Sequence, residues 1–152
     1  MKLSDIKKVH FIGIGGIGMS ALARLFLAEK KQVSGSDRAS SQITQTLESE
    51  GITLFPTQVA GNISSDTSLV VYTEAMAQDH EELVRARELG IPTMNYFDAL
   101  GMVANEYYLI AVAGSHGKTT TTAMLIDIME EAGFDPSAIV GSLRSKTKSN
   151  YQ

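Results

Sequence analysis

Short apolar runs alternate with amphipathic segments along most of the chain. Runs of strand length occupy 9–14, 32–36, 52–55, 68–72 and 91–94. Between these runs, apolar residues recur at helical spacing over 17–30, 78–89 and 96–104. A further helix is expected between a capping Ser40 or Ser41 and Gly51. Strands that alternate with helices in this way predict an α/β fold with a mainly parallel sheet.

Two of the runs indicate their place in the sheet. Residues 9–14 are almost continuously apolar, as in a strand that is buried on both faces. Pro92 cannot donate a hydrogen bond to a neighbouring strand, so the run at 91–94 is predicted to be an edge strand.

The pattern changes after residue 105. An apolar run at 107–113 precedes a glycine-rich turn, a helical pattern over 123–132 and the beginning of a strand at 138–140. One strand and one helix cannot bury a sheet of their own. We therefore expect one domain over 1–105, and the opening of a second, truncated domain over 106–152. Because 144–150 is polar and aperiodic, fraying is expected from about Leu143.

The glycine-rich turn has the residue types of a nucleoside triphosphate site. A strand, a tight turn and a helix N-terminus direct backbone N–H groups and the helix dipole at one point. Lys118, the predicted catalytic residue, can reach the terminal phosphates, and the Thr119 hydroxyl can hold Mg²⁺. The predicted ATP ligands are Gly114, Ser115, His116, Gly117, Lys118, Thr119 and Thr120.

This motif departs from the general P-loop pattern at one position. Val112 stands where that pattern has its first glycine, which leaves the shorter form Gly-x-x-Gly-Lys-Thr with Gly114 in the turn. The alternative is a strand-to-helix connection whose glycines only permit a tight turn. The strand–loop–helix context favours binding of ATP or GTP, with His116 as a polar loop residue rather than a catalyst.

A second glycine-rich loop joins the first predicted strand to the first predicted helix. Gly13, Gly15 and Gly18 fit the spacing G-x-G-x-x-G, which allows a tight turn, close approach of the backbone to a pyrophosphate and close helix–strand packing. Asp37 follows at the position of an acid that meets a ribose hydroxyl. Together these features favour a diphosphate-containing ligand over glycines that serve packing alone.

This loop does not identify its ligand, because it binds the diphosphate and not the groups attached to it. A nicotinamide or flavin dinucleotide and a nucleotide-sugar diphosphate both fit. The triphosphate loop favours the second: an enzyme that needs ATP beside a nucleotide-diphosphate substrate is more often a ligase or kinase than a dehydrogenase.

Composition limits the classes of protein and of partner that fit this sequence. Hydrophobic residues make up 43% and charged residues 20% of the chain, as in soluble globular proteins. A net charge of −4 argues against nucleic acid as a main partner. The chain has no cysteine, no apolar run long enough to span a bilayer and no apolar signal-peptide core. A cytoplasmic protein without a membrane partner is expected.

The two loops and their surroundings together resemble the Mur ligase family, in particular its UDP-N-acetylmuramate–L-alanine ligases. The resemblance extends over about residues 8 to 141 and is carried by 10–23, 35–37 and 113–124. Two small departures are Ser115, where the family commonly has Thr, and Gln58, where many members have His.

The resemblance implies a Rossmann-like domain for UDP-N-acetylmuramate, a central domain for ATP and Mg²⁺, and a third domain for L-alanine. ATP would phosphorylate the muramate carboxylate, and L-alanine would then displace phosphate from the acyl phosphate, in peptidoglycan precursor synthesis. Alone, this chain would bind substrate without catalysing the reaction. The implied substrate ligands are Gly13, Gly15, Gly16, Ile17, Gly18, Met19, Ser20, Ser36, Asp37, Arg38, Thr73 and Ala75.

Two other functions remain open. A muropeptide-recycling ligase would join a peptide to the same sugar nucleotide. A dinucleotide-binding regulatory module could carry the triphosphate loop by coincidence, and it would bind NAD without responding to UDP.

Overall fold

A parallel five-stranded sheet organises the fold in the computed structural model, which describes residues 1–144 and 146–152. The strand order is β3-β2-β1-β4-β5, and each neighbouring pair is parallel. The strands are β1 (Lys8–Ile12), β2 (Gln32–Ser36), β3 (Thr53–Phe55), β4 (Leu69–Tyr72) and β5 (Thr93–Asn95). The predicted α/β class is confirmed, with β1 at the centre and β5 at an edge.

Helices connect the strands and continue beyond the sheet. They are α1 (Ile17–Ala28), α2 (Gln42–Ser49), α3 (Glu81–Glu88), α4 (Tyr96–Ala104) and α5 (Lys118–Glu131). Two predicted helices were too long. The first ends at Ala28, where Lys30 adopts a φ of 59°, and the third begins only at Glu81, after a turn in which His80 N–H donates to Ala77 O. Among the described residues, no helix combines the length and apolar character needed to cross a membrane.

Each face of the sheet packs against its own hydrophobic core, and the side chains of β1 alternate between the two faces. Val9 and Phe11 join the larger core with Leu22 and Phe26 of α1. Ile12 joins a smaller core with Leu83 of α3. The central strand is therefore buried on both faces, as its apolar sequence predicted.

The predicted strand at 107–113 is not formed, and this expectation was wrong. Tyr108 is 96% exposed and Leu109 is 61% exposed, and within the described ranges the segment pairs with no other strand. The run at 138–140 likewise makes only one antiparallel bridge, between Ile139 and Tyr151. A strand forms only against a partner that takes up its backbone hydrogen bonds, and apolar sequence alone does not supply one.

Fraying was expected from about Leu143, and Ser145 lies outside the described residues, but the residues described on either side of it make specific contacts. Asn150 is fully buried, Tyr151 packs against the larger core, and Arg144 pairs with Asp127 of α5 at 2.7 Å. This part of the chain is held by polar side chains, which is why it lacks an apolar period.

A buried polar network lies between β1, β2 and α3, on the face of the smaller core. His10 and Glu82 are both fully buried. Glu82 Oε1 accepts hydrogen bonds from Asn62 Nδ2 at 2.8 Å and His10 Nε2 at 3.3 Å, and Oε2 accepts from Ser36 Oγ at 2.7 Å. The Nε2 proton is assigned to His10 because an ionised carboxylate can only accept.

These contacts keep Glu82 ionised inside the protein. Burial raises the pKa of its carboxyl group, but the hydrogen bonds from His10, Asn62 and Ser36 outweigh this effect and lower the pKa below its ordinary value of 4.5. The position of Glu82 in the first turn of α3 acts in the same direction through the helix dipole.

The network predicts a specific loss of stability in acid. Because the folded-state pKa of Glu82 lies below 4.5, its contribution is complete above pH 4.5 and is lost as pH falls through the lower folded-state value. Glu82→Gln is therefore expected to be less stable than wild type at pH 7, and the difference should shrink in acid. Denaturant unfolding at a series of pH values measures this.

Glu88→Gln is the matched control, since Glu88 lies on the same helix with an exposed side chain. Its exposed pair with Arg85 contributes little, so its stability should follow that of wild type at every pH. His10 and His80 also face Glu82, the latter with Nδ1 4.0 Å from Oε2. A stability difference for Glu82→Gln that stays constant from pH 7 to pH 3 would contradict the assignment.

Candidate nucleotide-binding site

The first glycine-rich loop leaves the carboxyl end of β1 at the centre of the sheet. After β1 the chain builds β2 and β3 on one side, and later β4 and β5 on the other. A crevice forms at such a point, outside the carboxyl ends of the strands, and ligands of open α/β sheets bind there. The loop and the N-terminus of α1 therefore occupy the usual ligand position of this architecture.

The loop is tied to the end of β2. Gly13 N–H and Ile14 N–H both donate to Ser36 O, at 2.8 and 3.2 Å. Gly13 has a φ of 80°, in the left-handed region that favours glycine, which allows the turn. The neighbouring Gly15 N–H donates to Asp37 Oδ2 at 2.8 Å.

Close packing explains two of the glycines. A Cβ atom at Gly15 would lie 2.8 Å from Asp37 Oδ2, and one at Gly18 would lie 2.7 Å from the ring of Tyr96. At Gly16 the nearest heavy atoms would be 3.7 Å away, and both Gly16 and Ile17 are exposed. The loop therefore presents Gly16 and Ile17 to solvent, while its other glycines face protein.

The helix N-terminus at this turn is suited to an anion. The first N–H groups of a helix have no intrahelical acceptor, and the helix dipole adds positive potential there. In α1 these groups belong to Ile17, Gly18 and Met19, since Ser20 N–H already donates to Gly16 O at 2.8 Å. A diphosphate at this point would receive hydrogen bonds without any charged side chain.

Several predicted substrate ligands face the protein. Asp37 accepts from Gly15 and from Ala39 N–H, at 2.8 and 2.9 Å. Ser36 and Ser20 are fully buried, and the Met19 side chain lies in the larger core. These side chains support the loop on its protein side. Of Met19 and Ser20, which lie in α1, only Met19 has a backbone N–H group without an acceptor among the described residues.

The remaining predicted ligands border the crevice. Thr73 follows β4, and its methyl group would lie 2.9 Å from a Cβ atom at Gly13. Arg38 and Ala75 are exposed beyond the ends of β2 and β4. Because β2, β1 and β4 are parallel neighbours, all three residues lie at the same edge of the sheet as the glycine loop.

Sequence reasoning missed Tyr96, the first residue of α4 and a neighbour of Gly18. Partial burial raises the pKa of its hydroxyl group, so the group stays protonated and can donate a hydrogen bond. The available signal was its position: Tyr96 directly follows β5 at the carboxyl edge, after Asn95, whose side chain accepts from Asp98 N–H at 2.8 Å and caps the helix.

The second glycine-rich loop precedes α5 and is exposed. Gly117 caps α5 with a φ of 80°, and Gly114 has a φ of 153°, so both adopt conformations that favour glycine. Lys118 Nζ donates to the loop carbonyl oxygens of Gly114 and Ser115. Thr119 and Thr120 follow in the first turn of the helix.

The second loop fits magnesium only together with a nucleotide. Nowhere in 1–144 or 146–152 do three or more His, Cys, Asp or Glu residues form a metal-binding group. Mg²⁺ commonly takes one or two protein ligands and completes its shell with phosphate oxygens and water. A single Thr119 hydroxyl beside a triphosphate agrees with that chemistry.

Comparisons with known proteins agree with this geometry. The family model described as "Mur ligase family, catalytic domain" matches residues 8–108. A UDP-N-acetylmuramate–L-alanine ligase of Clostridium kluyveri is 52% identical over 136 residues, covering 89% of this chain and 30% of the relative. The chain thus spans less than a third of that relative's length.

Solved structures share the fold. The UDP-N-acetylmuramate–alanine ligase of Thermotoga maritima superposes with a TM-score of 0.85 at 35% identity, covering 95% of this chain and 34% of that one. The UDP-N-acetylmuramate:L-alanyl-γ-D-glutamyl-meso-diaminopimelate ligase of Neisseria meningitides gives a TM-score of 0.84 at 28% identity, covering 96% and 46%. Because the family model matches residues 8–108, which contain all five strands and the first glycine-rich loop, the chain belongs to the Mur ligase family.

Proposed function

We propose that this chain is the sugar-nucleotide-binding part, and the beginning of the ATP-binding part, of a ligase that joins L-alanine to UDP-N-acetylmuramate. The observation that carries the proposal is the start of α1, where Gly16 and Ile17 are exposed and the first helical N–H groups lie at the switch point of the sheet. The close relatives that are named for this reaction support the same substrate.

In this proposal the diphosphate of UDP-N-acetylmuramate binds the backbone N–H groups of Ile17, Gly18 and Met19, next to Gly16. Gly13, Gly15, Ser20, Ser36 and Asp37 shape the loop through the contacts described above. Arg38, Thr73 and Ala75 line the crevice on either side and approach the uridine. The loop binds phosphates through neutral amides, which agrees with a ligand that brings its own negative charge.

The second loop would hold ATP through the N–H groups of 114–120 and the ammonium group of Lys118. During phosphoryl transfer, Lys118 stabilises charge on the β- and γ-oxygens as the muramate carboxylate oxygen attacks the γ-phosphorus and ADP leaves. The Thr119 hydroxyl would hold Mg²⁺ beside the triphosphate, and the ion would supply further positive charge there. The amine of L-alanine then attacks the acyl carbon and loses a proton, and inorganic phosphate departs as the amide forms.

We also propose a division of the chain at about residue 105. Residues 1–105 contain the whole sheet and the sugar-nucleotide loop, and 106–152 contain the triphosphate loop and α5. The proposed location is the cytoplasm, where ATP and nucleotide-activated sugars are made.

A peptide-adding ligase is the second candidate, favoured by the likeness to the Neisseria meningitides enzyme. Both reactions use the same sugar nucleotide, so binding to the glycine loop does not separate them. Product analysis on a protein of the relatives' full length that carries this segment, with L-alanine and tripeptide offered together, distinguishes them: the leading proposal expects the alanine adduct.

Loss of one loop amide tests the sugar-nucleotide site. Ile17 is the first residue of α1, where proline is tolerated, and Gly16 already has the extended backbone that proline requires before it. Ile17→Pro therefore removes one N–H donor and leaves the helix intact. By calorimetry, we expect its affinity for UDP-N-acetylmuramate to fall by roughly tenfold or more, because a charge-assisted hydrogen bond is lost.

Ile17→Ala is the control, because it truncates the same side chain and keeps the N–H group. Its affinity should stay within about twofold of wild type, since Ile17 is already partly exposed. For the wild-type chain, the sugar nucleotide should raise the melting temperature more than NADH does. Stabilisation by NADH with no response to UDP-N-acetylmuramate would support the regulatory module instead.

Removal of the Lys118 ammonium group tests the triphosphate loop. Lys118→Ala is expected to weaken binding of ATP with Mg²⁺ by roughly tenfold or more, since a charge-assisted contact to phosphate is lost. Binding of UDP-N-acetylmuramate should remain unchanged. Lys7→Ala, which removes an exposed charge near β1, is the matched control. Equal ATP affinity of Lys118→Ala and Lys7→Ala would refute the assignment.

A further inference from the structure

Asn150 is a polar residue near the end of the sequence that is buried against α1, the helix that follows the first glycine-rich loop. Its side chain is fully buried. Nδ2 donates to Ile17 O at 2.6 Å and to Ser20 Oγ at 2.9 Å, and Ser20 Oγ in turn donates to Ile17 O at 3.0 Å. Oδ1 accepts from Arg24 Nη1. All polar atoms of this carboxamide are therefore used on α1.

The contact with Ile17 O bears directly on the proposed diphosphate site. Ile17 C=O and Gly18 N–H belong to one peptide unit, and a peptide unit is planar. A hydrogen bond that holds the carbonyl oxygen therefore also fixes the direction of the Gly18 N–H group. That N–H group is one of the free donors at the start of α1.

The partners of Asn150 are held in turn. Arg24 is buried in the middle of α1, and its Nε donates to Glu50 Oε2 at 2.7 Å. Glu50 follows α2, so the guanidinium group that orients Asn150 Oδ1 is fixed from a second helix. The carboxamide thus has one orientation available, with Nδ2 directed at the first turn of α1.

The other side of this segment is attached to α5. Arg144 Nη2 donates to Asp127 Oδ1 of α5 at 2.7 Å. Within the segment itself, Val140 N–H donates to Asn150 O at 2.9 Å. A Cβ atom at Gly141 would lie 3.6 Å from Thr119 Oγ1, next to the triphosphate loop. The residues that carry Asn150 therefore touch the helices that follow both glycine-rich loops.

The structure of one relative aligns with most of this chain. The Thermotoga maritima structure covers 95% of this chain at a TM-score of 0.85, which leaves too few residues out for it to omit most of 106–152. Most of 106–152 therefore has a structural counterpart in that relative.

We infer that Asn150 is a positioning residue for the sugar-nucleotide site: it is supplied from the part of the chain that carries the triphosphate loop, and it orients the Gly18 N–H group toward the diphosphate through Ile17 O. This inference rests on the proposed function, since it assigns a role at the same site. It also makes that site dependent on residues beyond the sheet that forms it.

Calorimetry with UDP-N-acetylmuramate on the whole 152-residue chain tests the inference. Asn150→Ala is expected to bind the sugar nucleotide on the order of tenfold more weakly, as for one misdirected charge-assisted donor. Arg144→Ala is the matched control, because it loosens the same segment from α5 without touching α1, and its affinity should stay within about twofold of wild type. The amide NMR signal of Gly18 should move in Asn150→Ala and not in Arg144→Ala.

Each other outcome has a defined meaning. Equal weakening in Asn150→Ala and Arg144→Ala, or no weakening in either, would overturn the positioning role. If Asn150→Ala does not fold, Ser20→Ala removes one of the two Asn150 acceptors and should weaken binding by about threefold; unchanged affinity there would overturn the role too. A wild-type chain that does not bind the sugar nucleotide refutes the proposed function instead.

Discussion

The tight connection between β1 and α1 is the constraint on which the rest of the structure depends. The chain must leave the centre of a parallel sheet and start a helix within a few residues, with its first amides open to the crevice. Ser36 O holds Gly13 and Ile14, and Asp37 takes the Gly15 N–H group. These contacts, two to a backbone carbonyl and one to a carboxylate, let the loop expose Gly16 and Ile17 without leaving its other donors unpaired. The proposed anion site is thus formed by backbone N–H groups, and the side chains hold the loop without facing the ligand.

The supports of this loop come from three directions. From one face of the sheet, the ionised Glu82 binds Ser36 Oγ and so fixes the end of β2 that holds the turn. From the start of α4, Tyr96 packs on Gly18 so closely that a side chain at residue 18 would collide with its ring. From the later part of the chain, Asn150 binds the first turn of α1. The proposed site would bind a charged ligand through neutral amides, and it would need this rigidity because a misdirected N–H group loses most of its hydrogen bond.

Local signals in the sequence predicted the sheet and both glycine-rich loops. They did not predict the polar contacts between residues that lie far apart in the sequence. The helix predicted at about 96–104 spans Tyr96–Ala104 in the structure, where the Asn95 side chain caps it. The strand at 107–113 was wrong, since apolar residues indicate burial but supply no hydrogen-bonding partner. Ser36 and Glu82 are 46 residues apart, and Asn150 and Ser20 are 130 apart. No periodicity relates such residues, so only the folded chain identifies them as parts of one site.

The central claim is that the first turn of α1 binds the diphosphate of a sugar nucleotide. Titration of the ¹⁵N-labelled chain with UDP-N-acetylmuramate, followed by amide NMR, tests it most directly. The account predicts that the largest saturable shifts fall on the N–H groups of Ile17, Gly18 and Met19, with smaller ones at Thr73 and Ala75. Saturable shifts confined to other parts of the chain, with the first turn of α1 unmoved, would contradict it.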